Sequence, residues 1–230
     1  MPGDPVAPRA ARLLSEPGEH EAIVRFSRSL GLPRPLPDLL GMSIRVLDAY
    51  GAGCHQDLLL VTSVDLPLVH HVFLPAGDVQ DRVYSSSLPY SAGEQRFLVG
   101  ALPRSDSPRP QGGDELDRLA RAAATGELRF DLAVAPLEGR FRPVAELHVR
   151  ERLGPELDAL RFNPFICGGG MRPSGLFNRW RAGAYPLSQA AWRRTKRDGA
   201  EQQDAAEARL RTLDGRTGRQ DGRALSDVPR

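Results

Sequence analysis

Lysine is almost absent: of 31 basic residues only Lys196 is lysine, and the rest are arginine. A skew that broad is the texture of GC-rich coding, so an arginine gains no role here from its type alone. Two cysteines, Cys54 and Cys167, are too few for a disulfide framework and lack metal-ligand spacing. No apolar run approaches the ~20 residues that cross a bilayer. An excess of one charge is missing too. The 31 basic and 29 acidic residues leave a formal charge of +2, which argues against a nucleic-acid binder working by bulk charge. The opening Met1-Pro2-Gly3-Asp4-Pro5 lacks the basic-then-apolar layout of a secretory leader. The expectation is a soluble cytoplasmic protein with no membrane and no nucleic-acid partner.

Familiar catalytic signatures are also missing. There is no G-x-S-x-G elbow, no phosphate-binding P-loop and no G-x-G-x-x-G. Of the histidines, His20 falls in an N-terminal arm and His55 in a turn, while His148 alternates with apolar neighbours and faces solvent. His70 and His71 are adjacent, so on a strand they point to opposite faces and cannot share a metal ion. A phosphodiesterase-type hydrolase is therefore only a distant alternative.

What is present is a turn-rich, β-patterned chain with 23 glycines and 20 prolines. Residues 1–20 read as an irregular arm with a short turn near Ala10–Leu14. Strands are predicted over 22–27, 42–47, 57–62, 68–74, 128–134 and 141–149. The run Asp57-Leu58-Leu59-Leu60-Val61-Thr62 is apolar enough to be buried on both faces. Leu128, Phe130, Leu132 and Val134 share one face. Residues 101–113 read as a loop, and Asp114 caps a helix that stops at Gly126. Six such strands predict an α+β fold: an antiparallel β-barrel with flanking helices over residues 21–197. Helices are also expected from Ser174 to Arg181 and over Leu187–Arg197. Residues 193–230 hold ten basic and seven acidic residues but few large apolar ones. Such a tail cannot offset its ordering entropy, so 198–230 is expected to be disordered apart from a frayed helix around 200–213.

One local pattern carries chemistry. In Arg181-Ala182-Gly183-Ala184-Tyr185-Pro186, Arg181 and Tyr185 stand one helical turn apart. A permanent cation beside a phenol favours the phenolate, a hard ligand suited to ferric iron. A tyrosine at a helix end beside an arginine is also common without any such role.

Several segments, in order, resemble the haem catalases. Val24-Arg25-Phe26-Ser27 matches the V-R-F-S strand of that family. Asp38 to Val46 is similar to D-x-R-G-F-A-x-K-F without the arginine after the aspartate. Asp57-Leu58-Leu59 falls on D-L-V-G-N, Phe162-Asn163-Pro164 on F-[DN]-P, and Gly170 to Ser174 on G-I-x-P-S. Arg181 to Pro186 falls on R-x-x-x-Y-P. The resemblance covers about residues 21–194 and implies a catalase-like barrel binding haem b. It would make Tyr185 the axial iron ligand and Arg181 the group that keeps it ionised. Arg25 would meet a haem propionate, with Arg193 or Arg194 at the second. Ser27 would line the pocket, and Phe73 would pack on the porphyrin. The implied activity is that of a peroxide-handling oxidoreductase acting on hydrogen peroxide or an organic peroxide, and homo-oligomer formation stays open.

The departures are equally specific. The family's distal histidine lies a few tens of residues before V-R-F-S, whereas His20, the sole histidine before Arg25, is five positions away. Leu60, Val61 and Thr62 occupy the region of the distal asparagine. Without a distal histidine to move the peroxide proton, full catalase turnover is not expected. Three explanations stand: a chain that begins downstream of its natural start, a haem protein of altered or lost activity, and a barrel without haem. The alternative from another class is a non-catalytic β-barrel that binds a small ligand or partner and no cofactor.

Overall fold

The computed structural model describes residues 7–33, 36–66, 72–174 and 204–210. In chain order its elements are α1 (Arg12–Ser15), β1 (Ala22–Arg28), β2 (Leu40–Val46), β3 (Gln56–Thr62), β4 (Tyr84–Ser85), β5 (Tyr90–Ala92) and β6 (Gln95–Pro103). There follow α2 (Glu115–Ala124), β7 (Leu128–Pro136), β8 (Arg142–Val149), a single 3-10 turn at Pro155–Leu157 and β9 (Met171–Pro173). Residues 204–210 are helical and are labelled α3.

The strands make one antiparallel sheet that meanders β1-β2-β3-β4-β6-β7-β8. One edge of β6 is shared: β4 pairs with it at Gly100 and Ala101, β5 at Gln95 to Phe97, and β9 adds outside β5. The sheet curls strongly. Phe26 on β1 and Phe130 on β7, far apart in strand order, bring their ring centroids within 5.9 Å. The result is a curled half-barrel of α+β class. Among the described residues β1 and β8 do not pair with each other, so the expected barrel stays open along that seam. Both sides of the seam explain this. β8 carries Pro143, which has no N–H to donate, lies beside a register shift at Leu132/Ala133 and presents Arg142, Glu146 and His148 as polar edge residues. At the same seam α1 packs against β8 and buries Ala11 and Leu14 in the core. This part of the arm is therefore built into the fold.

The inner face follows from period-two patterning. Leu40, Met42, Ile44 and Val46 of β2, Leu58 and Leu60 of β3, Val99 and Ala101 of β6, and Leu128, Phe130 and Val134 of β7 fill one core. Each large side chain contributes roughly 1.5–3 kcal/mol through burial. Tyr84 is fully buried there because its hydroxyl donates to the Val79 carbonyl at 2.8 Å. The outer face of β1–β3 has its own cover. Ile23 and Leu47 pack with Leu157, Leu160 and Phe162, and with Ala206 and Leu210 of α3. β3 is thus shielded on both faces, as its apolar run predicts.

Two expectations need correction. β6, a central strand with Phe97 to Ala101 buried on both faces, was not anticipated, and its last residues fall in the stretch read as a loop. The strand expected over 68–74 is not formed at 72–74. That stretch is tied back as a loop by Leu74 N–H to the Thr62 carbonyl and the Ser63 hydroxyl to the Val72 carbonyl. Residues 68–71 lie outside the described residues. By contrast α2 begins as predicted: the Asp114 carboxylate accepts from Asp117 N at 2.8 Å, and Gly126 takes the left-handed conformation (φ 72°) after the helix. Among the described residues no helix is long and apolar enough to cross a membrane.

Candidate functional site

Arg181 and Tyr185 lie outside the described residues, as do Arg193, Arg194, the helix expected over 187–197 and all of the helix expected from Ser174 to Arg181 except Ser174 itself, which bonds the Pro89 carbonyl. The other residues assigned to haem by resemblance are placed. Arg25 and Ser27 share the outer face of β1. The Arg25 guanidinium donates to the Leu160 carbonyl through both terminal nitrogens at 3.0 Å and lies over the Phe162 ring, 5.3 Å from its centroid. Desolvation there lowers its pKa from the ordinary arginine range. Ser27 is exposed near the end of the strand, and Phe73, 50% exposed, projects from the loop before β4. As arranged, these three make no common wall for a porphyrin. Arg25 has the charge a propionate needs but would have to give up its carbonyl partners.

A different set of motif residues does converge. Arg45 on β2 donates from Nε and one terminal nitrogen to the two oxygens of Asp57 on β3, both at 2.7 Å. The two residues face each other in register, and both side chains are almost wholly buried. The same carboxylate accepts Asn163 N–H at 2.7 Å, and Arg45 reaches the Arg161 carbonyl at 2.8 Å. Both guanidinium groups contact the Phe162 ring, Arg25 at 5.3 Å and Arg45 at 5.5 Å from its centroid. Ile166 completes the clamp by accepting Asp57 N–H. Four motif segments that the chain spreads from Val24 to Pro164 therefore meet at one place. What they form there is a satisfied ion pair that pins residues 161–166 to the sheet, with every charge engaged.

No family model, no curated protein and no solved structure matches the chain.

The glycine run 168–170 belongs to the same end of the sheet. Its backbone lies against the Tyr50 ring, and a Cβ at Gly169 would stand 2.0 Å from a ring carbon. Gly169 and Gly170 also have φ of 52° and 81°. The Tyr50 hydroxyl donates to Gln56 Oε1 at 2.9 Å, and Gly168 N–H reaches the same oxygen at 3.3 Å. Burial, with Cys167 nearby, pushes the Tyr50 phenol up to about 12, and burial raises the Cys167 thiol as well. Neither is poised as a nucleophile near neutral pH. The run thus serves close packing against Tyr50.

A second polar cluster sits where α2 crosses the opposite end of the sheet. Arg28, the last residue of β1, reaches Glu115 Oε2 at 3.3 Å and Asp38 Oδ2 at 3.6 Å. Asp38 is fully buried and accepts Leu30 N–H and Leu32 N–H at 2.9 and 3.0 Å. Desolvation opposes its ionised form, yet these backbone donors and Arg28 hold its carboxyl below the usual range. Burial, with Asp78, Glu115 and Asp81 nearby, raises the Tyr84 phenol. Beside this cluster is a cavity of about 230 Å³ between the 78–80 turn, the 109–111 loop and α2, with Val79, Leu119 and Ala122 as its apolar wall. Its two arginines are already engaged: Arg109 by Asp81 and the Gln80 carbonyl, Arg118 by Gly113 and Asp78. Sequence reasoning missed this cluster because its members come from β1, two loops and α2, with no spacing to unite them. His148, as expected, faces solvent and bonds Glu146 at 3.0 Å. Among the described residues no group of three or more His, Cys, Asp or Glu side chains could hold a metal ion.

Proposed function

We propose that the protein is a catalase-like barrel that binds haem b through Tyr185, with peroxide turnover weak or absent. The observation that carries this reading is the meeting of the segments holding Arg25, Arg45, Asp57 and Phe162-Asn163 in one cluster. Segments that match one family in order and also touch in space are better explained by a shared architecture than by coincidence of short motifs. Bound haem would supply a ferric iron able to react with peroxide. The chain's own part would be to present the Tyr185 oxygen as phenolate, which the Arg181 cation favours by lowering the phenol pKa. Proton transfer between the peroxide oxygens needs a positioned general acid–base, and neither a distal histidine nor a distal asparagine stands in its family position.

A specific observation favours a second reading, a non-catalytic barrel without cofactor: Arg25 has its donors committed to the Leu160 carbonyl. The cavity beside α2 is then the place for a small ligand.

Hemin titration of the full chain separates the two. Haem binding predicts a Soret band and a high-spin ferric charge-transfer band, both altered by Tyr185→Phe, with little oxygen released from hydrogen peroxide. A spectrum that is only the sum of free hemin and protein assigns the cofactor-free reading.

A further inference from the structure

The walls of the cavity beside α2 are tied to one another before any ligand enters. The Tyr84 hydroxyl holds the Val79 carbonyl. Gln80 Nε2 donates to the Pro108 carbonyl at 3.3 Å, which joins the 78–80 turn to the loop ahead of α2. Arg109 adds to that link by donating to the Gln80 carbonyl and to Asp81. From α2, Arg121 donates to the carbonyls of Gln111 and Gly112. A cavity framed by such cross-links is pre-organised, so a ligand need not supply the cost of ordering it.

Size and lining fix the chemistry of the occupant. The volume of about 230 Å³ lies below the roughly 300–1,000 Å³ of drug-sized sites. At about 30 Å³ per water molecule it suits a body of roughly eight to ten non-hydrogen atoms. Val79, Leu119 and Ala122 make one side apolar. Gln80, only 6% exposed, supplies an acceptor: its Oε1, open to the cavity, has no hydrogen-bond partner among the described residues. A buried acceptor on a cavity wall calls for a donor. Next to it Asp78 Oδ2 has a single partner, Arg118, at the long distance of 3.5 Å. Arg118 in turn uses two of its five N–H groups, on Asp78 and on the Gly113 carbonyl. It therefore keeps donors for a carboxylate. Asp78 and Glu115 balance Arg109 and Arg118 around the lining, so a ligand carrying a net charge would leave one sign in excess. A ligand with both an ammonium and a carboxylate matches this wall.

We propose that the cavity binds a small aliphatic α-amino acid. Its ammonium would meet Gln80 Oε1 and Asp78, its carboxylate Arg118, and its side chain Val79, Leu119 and Ala122. The inference rests on the small-ligand site of the second reading above and names the ligand class.

Amide shifts in nitrogen-15 spectra of the full chain, titrated with L-leucine, test this. Leucine should move the amides of Val79, Gln80, Leu119 and Ala122 with a Kd on the order of 100 µM. Isocaproate, which lacks the ammonium, and isoamylamine, which lacks the carboxylate, should each bind at least tenfold more weakly. Asp78→Asn and, independently, Arg118→Gln should weaken leucine binding at least tenfold with the circular dichroism unchanged. His148→Ala on the β8 edge should have no effect. If either analogue binds through the same amides as tightly as leucine, the amino-acid assignment falls and the small-ligand site stands. If none of the three probes moves those amides at millimolar concentration, the assignment and the site fall together. Leucine binding that neither substitution weakens also overturns the assignment.

Discussion

Removing the Asp57 carboxylate is the sharpest test of how the curled sheet is held. In Asp57→Leu the Arg45 guanidinium, on a side chain only 5% exposed, keeps the Arg161 carbonyl but loses both charged bonds, and Asn163 N–H loses its acceptor. An uncompensated buried charge of this kind costs about 3–5 kcal/mol. At roughly 2–4 °C per kcal/mol for a chain of this size, the melting temperature should fall by about 6–20 °C. The assay is urea unfolding followed by circular dichroism, with hydrogen exchange at the amides of Asn163 and Phe165 as a local readout. Those amides should lose protection first, since Asp57 is what fastens residues 161–166 to β3. The double variant Arg45→Met with Asp57→Leu removes both charges together and should recover most of the loss, because a buried pair is worth little more than well-packed apolar residues of similar volume. Disrupting the exposed Arg12–Glu16 pair should cost under about 0.5 kcal/mol. An Asp57→Leu protein within 1 kcal/mol of wild type, or a double variant weaker than the single one, would refute the clamp.

Three further outcomes are expected. Because the folded state depresses the Asp38 pKa, the folded protein releases that proton more readily than the unfolded chain. The associated stability is fully present above the unfolded carboxyl pKa of about 4 and is lost as the pH falls through the lower folded value. Urea midpoints between pH 5 and 2.5 should therefore drop, and less steeply in Asp38→Asn. Gly169→Ala forces a methyl onto the Tyr50 ring at positive φ and should destabilise by about 2–3 kcal/mol, with Tyr50→Ala in the same chain relieving part of it. In an alkaline titration followed by phenolate absorbance, Tyr50→Phe should remove a late step near pH 12; an unchanged curve would mean that Tyr50 is not buried against residues 167–169.

Local pattern alone determined a good deal. Alternation in β7, the continuous apolar run of β3 and the capping of α2 by Asp114 are properties of neighbouring residues, and hydrophobic periodicity reads them directly. The α+β class followed from those elements. β6 escaped because the Pro- and Gly-rich stretch from residue 101 onward reads as a loop, whereas pairing with β7 as far as Pro103, and with β4 at Gly100 and Ala101, makes its last residues strand. The seam between β1 and β8 was likewise beyond local reading, since closure depends on how far the sheet curls and on Pro143 at its edge. Tertiary structure also decided what the motif residues do. Arg25, Arg45, Asp57 and Asn163 are unremarkable one at a time, but antiparallel register sets Arg45 opposite Asp57 and the curl leaves a face for residues 157–166 to cover. Charge partners distant along the chain can be paired only by the fold that buries them.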